Sequence, residues 1–358
     1  MDLAVSLVRY LSCPPSRRKP LPWLATIPVE AWEQLIAYIE ARSLTLAAYR
    51  CFVVEAQAPT LPTTLKARLR RAYIQAGISV PWLNRELAEV CQALVQAGIS
   101  PVVLKGPHIG PLLWPEDPTL RPFGDLDLWV QPVDIPQTEA VLRGLNYGGG
   151  PAEPITSLDF WFHELPAYQR SGPGAQQMSV VDLHYRLAPD YLPIGDEEAI
   201  FKRATPWLYG AKVLAPEDLC VYLCNHTARH LFIEPRPELL FRSTYGYIGE
   251  IGRLLDCYAP TWSWDVIAER IASSRYSRAM SLPLRLAAVL WEISLPESIA
   301  KLWKHDVIGH KVFEMWQSRL DTVWSAEDHR WLAIGVRLDM KYVRKRVNDR
   351  INPWARQH

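Results

Sequence analysis

The hydrophobic period of this chain changes twice, near residue 99 and near residue 196. The two changes set what the chain can fold into. Before residue 99, apolar residues recur three and four apart. Residues 29–41 (VEAWEQLIAYIEA), 65–76 and 82–97 read as helices, the last with Leu83, Leu87, Val90, Leu94 and Val95 along one face. Gly77 and Gly98 stand where such helices stop. From residue 99 the pattern switches to short β-branched runs: SPVVLK at 100–105, LDLWV at 126–130, and two further runs at 161–170 and 179–187. Ser171-Gly172-Pro173-Gly174 between the last two is a turn signal, so they read as a hairpin. Pro107 suits the first turn of a helix opened by Gly106, and residues 133–145 carry a helical period. From residue 197 the helical period returns, over 216–232, 247–258, 264–272, 284–291 and 331–347. The reading is an α+β chain: an N-terminal helical region over 1–98, a small mixed sheet over 99–195, and a C-terminal helical region over 196–358.

Charge narrows the partners. The 39 basic and 38 acidic side chains leave a formal charge of +1, so recognition of a polyanion has to be local. No apolar run reaches the about 20 residues of a membrane-spanning helix. The first residues lack a basic stretch ahead of an apolar one, unlike a secretory signal. Six scattered cysteines form no Cys-x-x-Cys pair. The expectation is a cytoplasmic protein with reduced, mostly buried thiols and no membrane partner.

The chemistry concentrates in Arg121-Pro122-Phe123-Gly124-Asp125-Leu126-Asp127-Leu128. Side chains alternate along a strand, so Asp125 and Asp127 point the same way, about 7 Å apart at Cα, while Leu126, Leu128 and Val130 face a core. Two carboxylates so placed repel each other unless a cation lies between them, and a hard divalent ion with oxygen ligands answers that. Gly124 allows a tight approach into the strand, and Arg121 lies within reach of a phosphate. A third acid comes from Val180-Val181-Asp182-Leu183-His184-Tyr185-Arg186, where Asp182, His184 and Arg186 share one face. Asp182 on a neighbouring strand can join the metal set or take a proton as general base. Gly-Asp-x-Asp alone also occurs in loops and calcium sites; here the flanking strand, Lys105-Gly106 upstream and the second acid-bearing strand agree with one another.

At these residues the chain resembles the uncharacterised nucleotidyltransferase family of bacterial proteins, within the DNA polymerase β-like superfamily. The resemblance rests on Leu104-Lys105-Gly106, Leu113-Trp114-Pro115, Arg121-x-x-Gly124-Asp125-x-Asp127-Leu128, Asp182-Leu183-His184-Tyr185, and the paired histidines of the helix at 223–230. It implies a nucleotidyltransferase core, Mg2+ or Mn2+, and a nucleoside triphosphate such as ATP as co-substrate. The implied reaction moves a nucleoside monophosphate to an acceptor, a small molecule, a peptide or protein, or RNA, and releases pyrophosphate. Asp125, Asp127 and Asp182 then stand as metal ligands and catalytic groups, with Lys105, Gly106, Arg121, Gly124 and His184 around the nucleotide. Lys105-Gly106 replaces the glycine-serine signature that opens such sites in the wider superfamily. Two rival readings are a non-catalytic binding protein for a peptide or RNA, and a kinase-like phosphoryl transferase.

Other residues carry weaker signals. His108 is a phosphate ligand or a surface histidine. His226 and His230, four apart on one helical face, have zinc-ligand spacing, but no glutamate follows the first as in a metalloprotease helix, and lining the interface between the helical region and the core is the plainer reading. The basic residues from Lys341 to Arg356 suit a solvated helix or a grip on RNA or peptide. Trp161, Trp262 and Trp264 suit base stacking or, in a chain with 15 tryptophans, core packing.

Overall fold

The computed structural model describes residues 3–151, 163–172, 177–190, 192–230, 237–258, 261–274, 276–304, 310, 313 and 314. Trp161, the turn residues Pro173 and Gly174, and the helix read over 331–347 lie outside them. The chain forms two compact units, Arg18–Tyr222 and Met1–Arg17 with Leu223–His358.

The first unit is α+β and holds a seven-stranded mixed sheet. Its strands are β1 (Val102–Val103), β2 (Leu126–Trp129), β3 (Gly148–Gly149), β4 (Tyr168–Ser171), β5 (Met178–His184), β6 (Thr205–Pro206) and β7 (Lys212–Val213). They lie in the order β3-β4-β5-β2-β1-β7-β6. β2 runs parallel to β5 and β1 parallel to β7, while the other neighbours are antiparallel. β4 and β5 form the expected hairpin. β6 and β7 fall after residue 196, in a stretch read as helical. Two-residue strands are too short to carry a period-two signal, and β7 is recruited by pairing with β1 instead.

One face of the sheet makes the core. Leu126, Leu128 and Val130 from β2 and its end, with Val181, Leu183 and Tyr185 from β5 and its end, pack with Leu87, Val90, Cys91 and Leu94. Those four belong to a single 34-residue helix, Thr63–Gln96, which runs through both Gly77 and Pro81. The sequence reads as two helices there. Pro81 lacks the N–H that would bond the carbonyl four residues back, on Gly77, and such a gap costs about 3 kcal/mol. Both residues are exposed, so water satisfies that carbonyl, and burial of Leu65, Leu69 and Ala76 before the gap and Val80, Trp82 and Leu83 after it offsets the loss. Arg170 of β4 pins the hairpin to this helix through ion pairs with Glu86 (2.7 Å) and Glu89. Tyr147 and Ser179 hydroxyls meet at 2.7 Å beside them.

The second unit is helical. Leu3–Ser12, Pro237–Tyr258, Trp264–Ser273, Ser277–Leu290 and Glu297–Lys301 are its clearest elements. Leu7, Val8, Leu11, Ile248, Ile251, Leu254, Ile267, Met280 and Leu284 are fully or almost fully buried in it. Trp291 donates its indole N–H to the Arg9 carbonyl at 3.1 Å, and Arg17 pairs with Asp256 at 2.7 Å, tying the first helix to the later ones. Among the described residues, no helix is long and apolar enough to cross a membrane. All six cysteines are free thiols.

Candidate active site

The opposite face of the sheet, in the first unit, gathers the polar residues of β2 and β5. Parallel pairing sets Asp127 beside Asp182 and Trp129 beside His184. In a parallel pair, residues in register point to the same side, so the two carboxylates are neighbours on one face while the leucines and valines between them go to the core. Trp129 is buried edge-on against Phe201 of the helix Glu197–Arg203, with ring centres 5.0 Å apart, and closes one side of that face.

Lys105 reaches the same point from β1. The pairing of β1 with β2 is continued by the Leu104 N–H bonded to the Asp127 carbonyl at 3.1 Å. The chain then turns into the helix Gly106–Leu113, and the Lys105 ammonium lies 2.6 Å from Asp127 Oδ1. His184 Nε2 lies 3.0 Å from the same oxygen. Asp127 is 2% exposed and the Lys105 side chain 15%. Burial opposes ionisation of Asp127, but the Lys105 ammonium and His184 together hold its carboxyl below the ordinary range. Asp127 is therefore a buried carboxylate kept charged by two partners.

Asp125 departs from the sequence reading in one respect. It occupies a bend one residue ahead of β2, because strand pairing starts only at Leu126 opposite Val181. Strict alternation along a strand therefore does not place it. It nonetheless senses the site: burial first, then the Asp127 charge, raise its proton affinity, and Lys105 and Arg121 partly offset this. Asp182 is raised to about 6, first by burial and then by Asp127, Asp125 and Glu164, with His184 opposing. The structure thus brings together Lys105, Asp125, Asp127, Asp182 and His184, with Arg121 at the rim of Asp125. Arg186 does not join them. β5 ends at His184, and Arg186 pairs instead with Asp190 and, at 3.8 Å, with Glu197.

The two glycines differ. A Cβ on Gly106 would lie 2.6 Å from Phe123 Cβ, so this position needs glycine for the close pass of the two segments. A Cβ on Gly124 meets nothing within 4 Å. We expect Gly106→Ala to cost about 1–3 kcal/mol and Gly124→Ala less than about 0.5 kcal/mol, read as thermal melting shifts of the full chain. Equal shifts would contradict this packing.

His108 is half-buried. Burial pushes it down to about 4, its Nδ1 is buried without a hydrogen-bond partner, and its ring meets Trp207 edge-on at 5.9 Å. An imidazole whose proton affinity is lowered by burial is a poor phosphate ligand. In the second unit, His226 and His230 pack on each other (4.4 Å) and on Tyr247 (5.1 and 5.4 Å). Among the described residues, they are not part of any group of three metal-ligating side chains.

Two residues of the first unit escaped the sequence reading. His163 and Glu164 precede β4, and Glu164 bridges to His184 on the far side of β5 from β2. His163 Nε2 is 3.4 Å and His184 Nε2 3.6 Å from Glu164 Oε2. The expected hairpin returns this segment beside the end of β5, but the register of Tyr168 with Val181 would set residue 165, not Glu164, opposite His184.

With this geometry in place, the comparison with known families is decisive. The sequence model described as uncharacterised nucleotidyltransferase matches residues 28–292, which takes in the whole sheet and every residue named at the site. The chain belongs to that family. No curated protein and no solved structure matches it. Membership assigns nucleotidyl transfer as the general function and a nucleoside triphosphate as the substrate class. Asp127 and Asp182 are register neighbours, and the charges of Asp127 and Asp125 add to burial in raising the proton affinity of Asp182, as a cation there would relieve. Among the described residues, the three carboxylates are not a group with ligand atoms within 4.8 Å of one another.

Proposed function

We propose that the family member described here transfers a nucleoside monophosphate from a triphosphate, with ATP as first candidate, to an acceptor and releases pyrophosphate. Asp125, Asp127 and Asp182 hold a divalent ion, Mg2+ or Mn2+. Such an ion supplies charge neutralisation at the phosphates and orients the attacking oxygen. Lys105 and Arg121 supply the remaining positive charge, and Gly106 and Gly124 keep the adjoining backbone open. The observation that carries this reading is the register of Asp127 with Asp182, on a face where Lys105 already holds Asp127 ionised.

The chain's own residues then have distinct tasks. Lys105 and His184 both contact Oδ1 of Asp127, which fixes the carboxylate and leaves Oδ2 for the ion. Asp182 is the third carboxylate, beside Asp127, and serves as a ligand of the ion or as the general base for the acceptor's proton. The acceptor oxygen forms a bond to the α-phosphorus, the bond from that phosphorus to the bridging oxygen breaks, and the electron pair leaves with pyrophosphate. Peptides, proteins, RNA and small hydroxyl compounds all fit that chemistry as acceptors. We place the reaction in the cytoplasm, in keeping with six free thiols.

Triphosphates labelled at the α or the γ position test this. We expect the α label to pass to an acceptor, or to a surrogate acceptor supplied in excess, and EDTA to stop the transfer. Transfer of the γ label in its place, or transfer that survives chelation, would overturn the reading.

A further inference from the structure

His163, Glu164 and His184 make a group that the transfer reaction leaves without a role beyond the contact of His184 with Asp127. Their ligand atoms all lie within 4.8 Å of one another, and the two imidazole nitrogens stand 3.4 and 3.6 Å from Glu164 Oε2. Ligands bound at about 2.1 Å around a tetrahedral ion are about 3.4 Å apart, so the observed separations already match the edges of such a site. Hydrogen bonding explains them less well. Both contacts to Glu164 are long for an N–H···O bond, and a single Nε2–H of His184 cannot point at Asp127 and Glu164 together.

Placement and charge agree. His184 is fully buried and His163 nearly so, while Glu164 is partly exposed, which leaves an entry path on one side. Main-chain pairing fixes both strands of the site: the Leu165 N–H bonds the Leu183 carbonyl at 2.9 Å and the Tyr185 N–H bonds the His163 carbonyl at 3.0 Å. Glu164 adds a third negative charge to the field felt at Asp182, after Asp127 and Asp125. Two imidazoles and one carboxylate select a borderline ion over Mg2+, which prefers oxygen ligands alone.

We infer that His163, Glu164 and His184 form a second metal site, taking a divalent first-row transition ion of the Zn2+ or Co2+ type, separate from the carboxylate set. Three protein ligands leave a fourth position open. The ion fastens the 163–164 segment to the end of β5; bound at His184 Nε2, it replaces the hydrogen bond from that nitrogen to Asp127, which Lys105 then holds alone. This inference does not depend on nucleotidyl transfer, and its test reads binding without turnover.

Full-length protein stripped by chelator is titrated with Co2+ while excess Mg2+ occupies the carboxylate set. We expect one equivalent of Co2+ to give the visible absorption of a four-coordinate site, with Zn2+ displacing it. Glu164→Gln, at a partly exposed position that leaves the core intact, should weaken Co2+ binding about 100-fold or more, as should His163→Ala. Asp125→Asn should leave the Co2+ spectrum unchanged. The inference fails if wild-type protein gives no stoichiometric signal, if Glu164→Gln binds Co2+ like wild type, or if Asp125→Asn alone removes the signal.

Discussion

Asp127→Asn lowers nucleotidyl transfer about a thousandfold or more while the sheet stays folded. The size follows from what the carboxylate does. An ion at the reacting phosphate contributes several kcal/mol of transition-state stabilisation, and about 4 kcal/mol corresponds to about three orders of magnitude. The amide keeps the shape of the side chain but gives up its charge and the anionic oxygen that binds the ion. Two effects on stability oppose each other. Lys105 loses its ionic partner in a site where its side chain is 15% exposed, which destabilises, and the repulsion of Asp127 on Asp125 and Asp182 disappears, which stabilises. Lys105→Met should lose less activity, because Lys105 holds Asp127 and the phosphates but does not bind the ion. The measurement is label transfer alongside a circular dichroism melt. An Asp127→Asn protein that folds and keeps more than a tenth of wild-type transfer would remove Asp127 from the chemistry.

Asp182→Asn carries the second large effect, and here activity and stability move in opposite directions. Asp182 binds its proton up to about pH 6 in the folded chain, against an ordinary value of 3.8. Between those two values the folded state holds more protons than the unfolded state, so stability falls as pH rises through the window. The penalty is fully present above about pH 6 and absent below about pH 4. Because the group is partly solvated, we take about 1–2 kcal/mol for it. Asp182→Asn should therefore melt higher than wild type at pH 7 in the presence of chelator, and the difference should vanish toward pH 4. Added Mg2+ should stabilise wild type and narrow the gap. Transfer by the variant should fall about a hundredfold or more, since a positioned base alone contributes about that much. A variant that is no more stable at pH 7 would contradict the crowding of charge on this face.

Much of the site is legible in the sequence because it depends on local rules. Alternation along 126–130 and 179–185 separates leucines and valines from Asp127, Asp182 and His184; the first set packs in the core, while Asp127 and His184, though also buried, meet each other on the other face. Lys105 at the end of a β-branched run is placed correctly for the same reason. What is not local is not legible. Nothing in residues 126–130 specifies parallel pairing with 181–184, so the register of Asp127 with Asp182 had to come from the fold. Asp125 lies outside the strand because pairing stops at Leu126, a tertiary matter. The helix Thr63–Gln96 crosses Gly77 and Pro81 because burial on both sides outweighs two local breakers. His163 and Glu164 lacked a motif, and only the folded hairpin set them against His184.

The account stands on a divalent ion and a triphosphate meeting at Asp125, Asp127 and Asp182. A crystal of the full chain grown with Mn2+ and a triphosphate that cannot be cleaved between its α and β phosphorus tests this most directly, because Mn2+ scatters anomalously. We expect a manganese peak contacted by the Asp125 and Asp127 carboxylates and by the triphosphate, with Lys105 still on Asp127. Triphosphate ordered elsewhere on the chain, or manganese confined to His163, Glu164 and His184 with none at the carboxylates, would contradict it.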